Sequence, residues 1–265
     1  MGRSLRQGPM KVLGFQYPSL PAAGAAGRRL SGYTLVEVIV CLGVIAVLCG
    51  VLLPSLRATR EQSRRLVCAS NMRNVGIALS AYAQSNGDRL PYSRVLDNSP
   101  PDVGALMLAR LAAPSSGGQA WDGLGRLANA YLDSCECLYC PSHHGMNPSD
   151  ACASRYRDGS TDELATNFHY SGHKYHANTP ERGELVRLDH GSRLMLLTDG
   201  LRSQLDFNHG TGLNRLFGDL STDWWSDERN AVRNRLPQDP ITTVSSDVSQ
   251  EISSLWGDIS EGEKR

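Results

Sequence analysis

From Val38 to Leu53 the chain carries no charged residue, and the apolar character extends from Tyr33 to Leu56 with one acid, Glu37, near its start. A helix over those positions is about 36 Å long at 1.5 Å per residue, enough to cross a bilayer core. A lone carboxylate in hydrocarbon costs about 2.5–3.5 kcal/mol on insertion scales, so Glu37 needs a role. Past Pro54 the pattern turns amphipathic. Cys68, Met72, Val75, Leu79 and Tyr82 recur at spacings of four, three, four and three, which predicts one buried helix face. Arg60, Arg64 and Arg73 fall mostly off that face, and Asn86-Gly87-Asp88 with Pro91 supplies a stop. The expectation is one long helix, transmembrane over 33–56 and a stem over 57–86.

The rest reads as a head over 87–240 and a terminal segment over 241–265. Asp102–Ala112 and Asp122–Leu132 read as short helices. Phe168–Tyr175, Arg193–Thr198 and Leu213–Phe217 read as strands, with Gly218-Asp219 turning into Ser221–Trp225 as a hairpin. Ser-Ser-Gly-Gly at 115–118 and Asn-Thr-Pro-Glu-Arg-Gly at 178–183 are loops. Ile241, Val244, Val248, Ile252, Leu255 and Ile259 keep a three-four spacing. They predict an amphipathic helix docked on the head, capped by Ser246 or Asp247. A flexible tail is the competing reading, because the Ser and Thr residues between 242 and 254 are poor helix formers.

Composition narrows the picture. Twenty-seven acids balance 27 bases, which points to no nucleic-acid partner. Removing residues 1–32 leaves 233, enough for an anchor, a stem and one compact domain. The flanks of the apolar run do not orient it. Arg57, Arg60, Arg64 and Arg65 follow it, while Arg3, Arg6, Lys11, Arg28 and Arg29 precede it. An ordinary secretory signal peptide shares the basic start and apolar middle but ends in a small-residue cleavage site. Here the run ends in Pro-Ser-Leu-Arg-Ala-Thr-Arg and continues as helix.

Gly32-Tyr33-Thr34-Leu35-Val36-Glu37 and the apolar run to Pro54 resemble the N-terminus of type IV pilins and of type II secretion pseudopilins. The resemblance implies a leader over 1–32, with Met10 as an alternative start, cut between Gly32 and Tyr33 by a prepilin peptidase. It implies methylation of Tyr33, which stands where the family usually has Phe, and subunit assembly through Glu37. Cys68-Ala-Ser-Asn-Met-Arg-Asn-Val-Gly-Ile-Ala is similar to a segment that follows the anchor in a large bacterial group of pilin-like proteins. Cys140-Pro141-Ser142 and the His209 to Asp219 spacing are similar to that group's head landmarks, except that Leu220 replaces a glycine. The implied fold is α+β, a long N-terminal helix packed on a small antiparallel sheet. The implied place is the inner membrane, single-pass, with a periplasmic head. The implied partners are the peptidase, sister subunits and an inner-membrane assembly platform. A non-polymerising anchored periplasmic binding domain is the alternative, and a metal-dependent hydrolase the weaker one.

The chain has seven cysteines. Cys41 and Cys49 lie in the membrane run, and Cys68, Cys135, Cys137, Cys140 and Cys152 are disulfide candidates in an exported head, with Cys68 to Cys140 one pairing that would staple stem to head. The pairing stays open. Cys135, Cys137, Cys140 and His143 or His144 offer zinc ligands at a spacing that fits no common zinc module. His169, His173, His176, His190 and His209 with Asp199 and Asp219 are the residues a hydrolase would use, but strand and turn positions explain them. Asp199-Gly200 reads as a strand-ending turn. Asp219, Asp223 and Asp227 read as a solvated face before a calcium loop, and Trp224-Trp225 as a core or subunit contact. No cofactor, resident metal or enzymatic activity is expected.

Overall fold

The computed structural model describes residues 32–97, 107–110, 121–128, 130–145, 163–170, 194–238 and 246–261. Helices and antiparallel sheets are mixed, so the class is α+β. The chain divides into two compact units, Met1–Val51 and Leu52–Arg265, and helix α1 (Leu35–Ser85) runs through both.

The start of α1 shows what Glu37 does locally. Its Oε2 accepts from Thr34 N at 2.8 Å and Thr34 Oγ1 at 2.9 Å, and Thr34 Oγ1 accepts from Glu37 N at 3.3 Å. This reciprocal Thr-x-x-Glu arrangement is a capping box, which satisfies amides that a helix start leaves without partners. The sequence reading gave Glu37 to subunit pairing alone and missed the cap. In the first unit the whole apolar window of α1 is exposed, and by length and composition it can cross a membrane.

In the second unit α1 becomes a core element. Cys68, Met72, Val75 and Leu79 are fully buried, with Ala78 and Ala83 beside them. Gly76 brings the stem close to the sheet, since a Cβ there would lie 3.1–3.3 Å from methyl groups of Leu216 and Leu220. The sheet is an antiparallel meander of β3 (Phe168–Tyr170), β4 (Met195–Asp199), β5 (Gly212–Phe217) and β6 (Thr222–Ser226). Its side chains alternate between two cores, as period two requires. Phe168, Tyr170, Leu197 and Leu216 join the stem, whereas Leu213 and Phe217 join Ile252, Leu255 and Ile259 of α2 (Ser246–Glu261). Met195 sits in the α2 core although Leu197 faces the stem, because the register shifts between them. Arg215 ties this side together: it forks onto Asp223 at 2.6 and 2.7 Å and donates to Ile259 O, in the last turn of α2, at 2.6 Å.

Among the described residues, neither of the two expected head helices is α-helical. Residues 108–110, inside the expected Asp102–Ala112 helix, form β1 (Leu108–Arg110), paired with β2 (Leu164–Ala165). Among the described residues of the expected Asp122–Leu132 helix, the helical structure is a 3-10 turn, Gly123–Leu127. Asp122 does not cap it; its carboxylate instead accepts from Ser93 Oγ at 2.5 Å and Arg94 N at 2.9 Å. Gly125 presses on the β1 backbone, where a Cβ would come within 1.7 Å of Ala109 O. Tertiary packing overrides a helical spacing in both places. The β5–β6 turn closes with Leu220 at φ +64°, a left-handed position that glycine takes more readily. Residues 171–193, with His173, His176 and His190, and 239–245, with Ile241 and Val244, lie outside the described residues.

Candidate functional site

Four segments meet where the stem crosses the sheet. Cys68 comes from α1, Cys140 follows the 3-10 turn Cys135–Leu138, Asp199 ends β4, and His209 lies in the turn before β5. All four are buried, and their donor atoms lie within 4.8 Å of one another. Cys68 Sγ donates to Asp199 Oδ1 at 3.2 Å, and Cys140 Sγ is 3.4 Å from His209 Nε2. Asp199 Oδ2 is 3.7 Å from His209 Nε2.

A ring of polar neighbours fixes these groups. Asn214 N donates to Asp199 Oδ2 at 2.7 Å, and Asn208 Nδ2 to Oδ1 at 3.2 Å. His209 Nδ1 lies 2.7 Å from Glu61 Oε1, one of the two oxygens that accept from Ser142 Oγ. Asn214 Nδ2 approaches both His209 Nε2 and Arg65 O at 3.4 Å. Trp224 lies edge-on to His209 with ring centres 5.6 Å apart, and the Arg65 guanidinium stacks 4.0 Å from the Trp224 ring centre.

The charges follow from this surrounding. Burial, then the hydrogen bond with Cys140 and the charge of Asp199, push the Cys68 thiol well above its ordinary range. Burial also acts to raise Cys140, but hydrogen bonds from Cys68 and His209 outweigh it and hold that thiol below its ordinary value. Burial works against a charge on His209, yet the bond to Cys140, the charge of Asp199 and the bond to Glu61 raise it to about 9. This places an unusually basic imidazole beside two thiols, one of which ionises more readily than usual. Such a group can bind a soft cation or close a disulfide.

Of the five head and stem cysteines, the cluster takes Cys68 and Cys140 and leaves Cys135 and Cys137 outside. The six described cysteines are free thiols, and Cys152 lies outside the described residues. Cys137 Sγ donates to Ser134 O at 2.9 Å, and burial pushes its thiol up to about 11. His143 Nδ1 sits 2.7 Å from Asn208 Oδ1, so the sequence grouping of Cys135, Cys137, Cys140 and His143 does not form. The acids weighed for calcium serve elsewhere. Asp219 accepts from Ser221 N, Asp223 pairs with Arg215, and Asp227 accepts from Val232 N and Arg233 N.

His169 and His209 are not brought together. His169 faces α2 with its ring 5.5 Å from Trp256, burial pushes it down to about 3, and neither ring nitrogen has a partner among the described residues. Gly32 and Tyr33 are exposed just ahead of α1. Sequence reasoning weighed Asp199 with His209 but set it aside as a turn residue, and it missed Glu61. The signal for Glu61 was present, since it precedes Cys68 by seven residues and therefore shares its helix face. No protein-family model, curated protein or solved structure matches this chain.

Proposed function

We propose that this chain is a pilin-like or pseudopilin-like subunit, cut after Gly32 by a prepilin peptidase and held in the inner membrane by the first part of α1. Its head lies outside the cytoplasm, and an assembly platform passes it into a type IV pilus or a secretion pseudopilus. One observation carries this reading. A fully exposed apolar helical segment with a single carboxylate at its start continues in α1 as a stem whose Cys68, Met72, Val75 and Leu79 are buried in one core with residues of the antiparallel sheet. Both bonds that Thr34 donates to the Glu37 carboxylate go to Oε2. Oε1 is the oxygen that would meet the new amine of Tyr33 on a neighbouring subunit, a pairing that offsets the cost of both charges out of water.

The test separates the ion pair from the cap. Glu37→Gln keeps a residue that completes a capping box but carries no charge, whereas Glu37→Leu removes both. Both variants should be cut and inserted, and neither should enter filaments or crosslink to sister subunits. Normal incorporation of Glu37→Gln would reduce the acid to a cap and defeat the pairing mechanism. A wild-type chain that is cut and inserted but never crosslinks to another subunit would favour an anchored domain that does not polymerise.

A further inference from the structure

We propose that Cys68, Cys140, Asp199 and His209 form a closed tetrahedral zinc site that clamps the stem to the head. A zinc tetrahedron with Zn–S of about 2.3 Å and Zn–N or Zn–O of about 2.0–2.2 Å has edges of about 3.3–3.8 Å. One atom from each residue lies within 4.8 Å of the other three. The separations of 3.4 Å from Cys140 Sγ to His209 Nε2, 3.2 Å from Cys68 Sγ to Asp199 Oδ1 and 3.7 Å from His209 Nε2 to Asp199 Oδ2 fall near those edges, so a small adjustment brings four donors onto one ion. Two sulfurs and an imidazole nitrogen favour zinc over hard cations such as calcium or magnesium. The ion's charge would offset most of the negative charge of two thiolates and a carboxylate held away from water.

His209 supplies an independent argument. Its Nδ1 faces the Glu61 carboxylate at 2.7 Å, which directs the Nε2 lone pair into the cluster. A carboxylate behind a ligating histidine is how proteins commonly fix the tautomer and basicity of a metal ligand. Glu61 is itself held by Ser142 Oγ, and Asp199 by Asn214 N and Asn208. A disulfide between Cys68 and Cys140 would use the two sulfurs and give no role to Asp199, His209 or Glu61. Four protein donors in a buried site leave no position for water or substrate, so the site is structural rather than catalytic. The ligands come from α1, a loop, a strand end and a turn, so binding energy becomes folding energy of the head. None of this depends on whether the chain is processed or polymerises.

The test uses the full chain in detergent micelles, purified under reductant, stripped with chelator and reloaded with zinc or cobalt(II). One equivalent of zinc per chain should be retained. Cobalt should show a thiolate-to-metal charge-transfer band with the intense visible bands of tetrahedral coordination, a wild-type readout independent of any variant. Glu61→Gln should weaken the metal by about 10–100-fold, and Cys137→Ser should leave affinity unchanged. A cobalt spectrum without the charge-transfer band overturns the site. So does peptide mapping that finds Cys68 bonded to Cys140 in protein isolated from membranes, or zinc retained equally by Cys68→Ser and His209→Ala.

Discussion

Helix α1 has two halves of opposite character. From Val36 to Leu53 its large apolar side chains are exposed on every side, whereas from Cys68 to Ala83 a single stripe is buried and, Ile77 and the half-buried Tyr82 apart, the rest is polar or small. A stripe needs a protein partner, and burial of Met72, Val75 and Leu79 contributes about 1.5–3 kcal/mol each. Apolar residues all round need a different solvent, which is lipid or neighbouring helices. Hydrophobic content alone does not separate the halves; the angular distribution of that content does.

A charge placed in each half breaks the comparison most severely. Leu79→Asp buries an unpaired carboxylate under the sheet and should cost the head about 4 kcal/mol or more, read as loss of its cooperative melt. Ile45→Asp should leave that melt unchanged and instead disfavour membrane insertion by about 2.5–3.5 kcal/mol, read by carbonate extraction. An equal effect of both on the head melt would contradict the division.

Acid sharpens the same contrast. The first half has no charged residue after Glu37 as far as Leu53, so pH should not alter its anchoring between pH 4 and pH 7. The head holds His169 down at about 3 by burial, against about 6.5 in an unfolded chain. The unfolded state therefore binds the extra proton between those values, and this stability is complete above pH 6.5 and lost as pH falls toward 3. Denaturant midpoints should show a slope of about 1.4 kcal/mol per pH unit from this residue, and His169→Phe should remove it. An unchanged slope in His169→Phe would show that other groups carry the acid response.

Glycines give the smallest effect. A side chain at Gly76 meets Leu216 and Leu220, whereas Gly43 and Gly50 have open space around them. Gly76→Val should destabilise the head by about 1–3 kcal/mol, and Gly50→Val should not move its melting temperature at all.

How much of this was legible follows from what each pattern depends on. The apolar run and the stem stripe from Cys68 to Leu79 rest on periods that hold whatever they pack against, and they stand out in the sequence. The helical spacings expected at 102–112 and 122–132 do not give α-helix at the described residues 107–110, 122–128 and 130–132, because β1 pairs with β2 and Gly125 lies against the Ala109 backbone, contacts made by residues far apart in sequence. The site was half visible. Cys68, Cys140 and His209 were singled out on sequence grounds, yet His209 was weighed with the wrong histidines. Asp199 looked like a turn residue, because its role depends on the β4–β5 pairing that brings Asn214 N to its carboxylate.

The central claim is that the exposed half of α1 is a processed anchor rather than a removable signal. Intact-mass and N-terminal peptide measurements on protein extracted from the membrane fraction test it most directly. The predicted result is a mature chain beginning at Tyr33, N-methylated, with residues 33–56 retained. A mature N-terminus beyond Pro54 would contradict the account, because the apolar half would then have been discarded as an ordinary signal peptide.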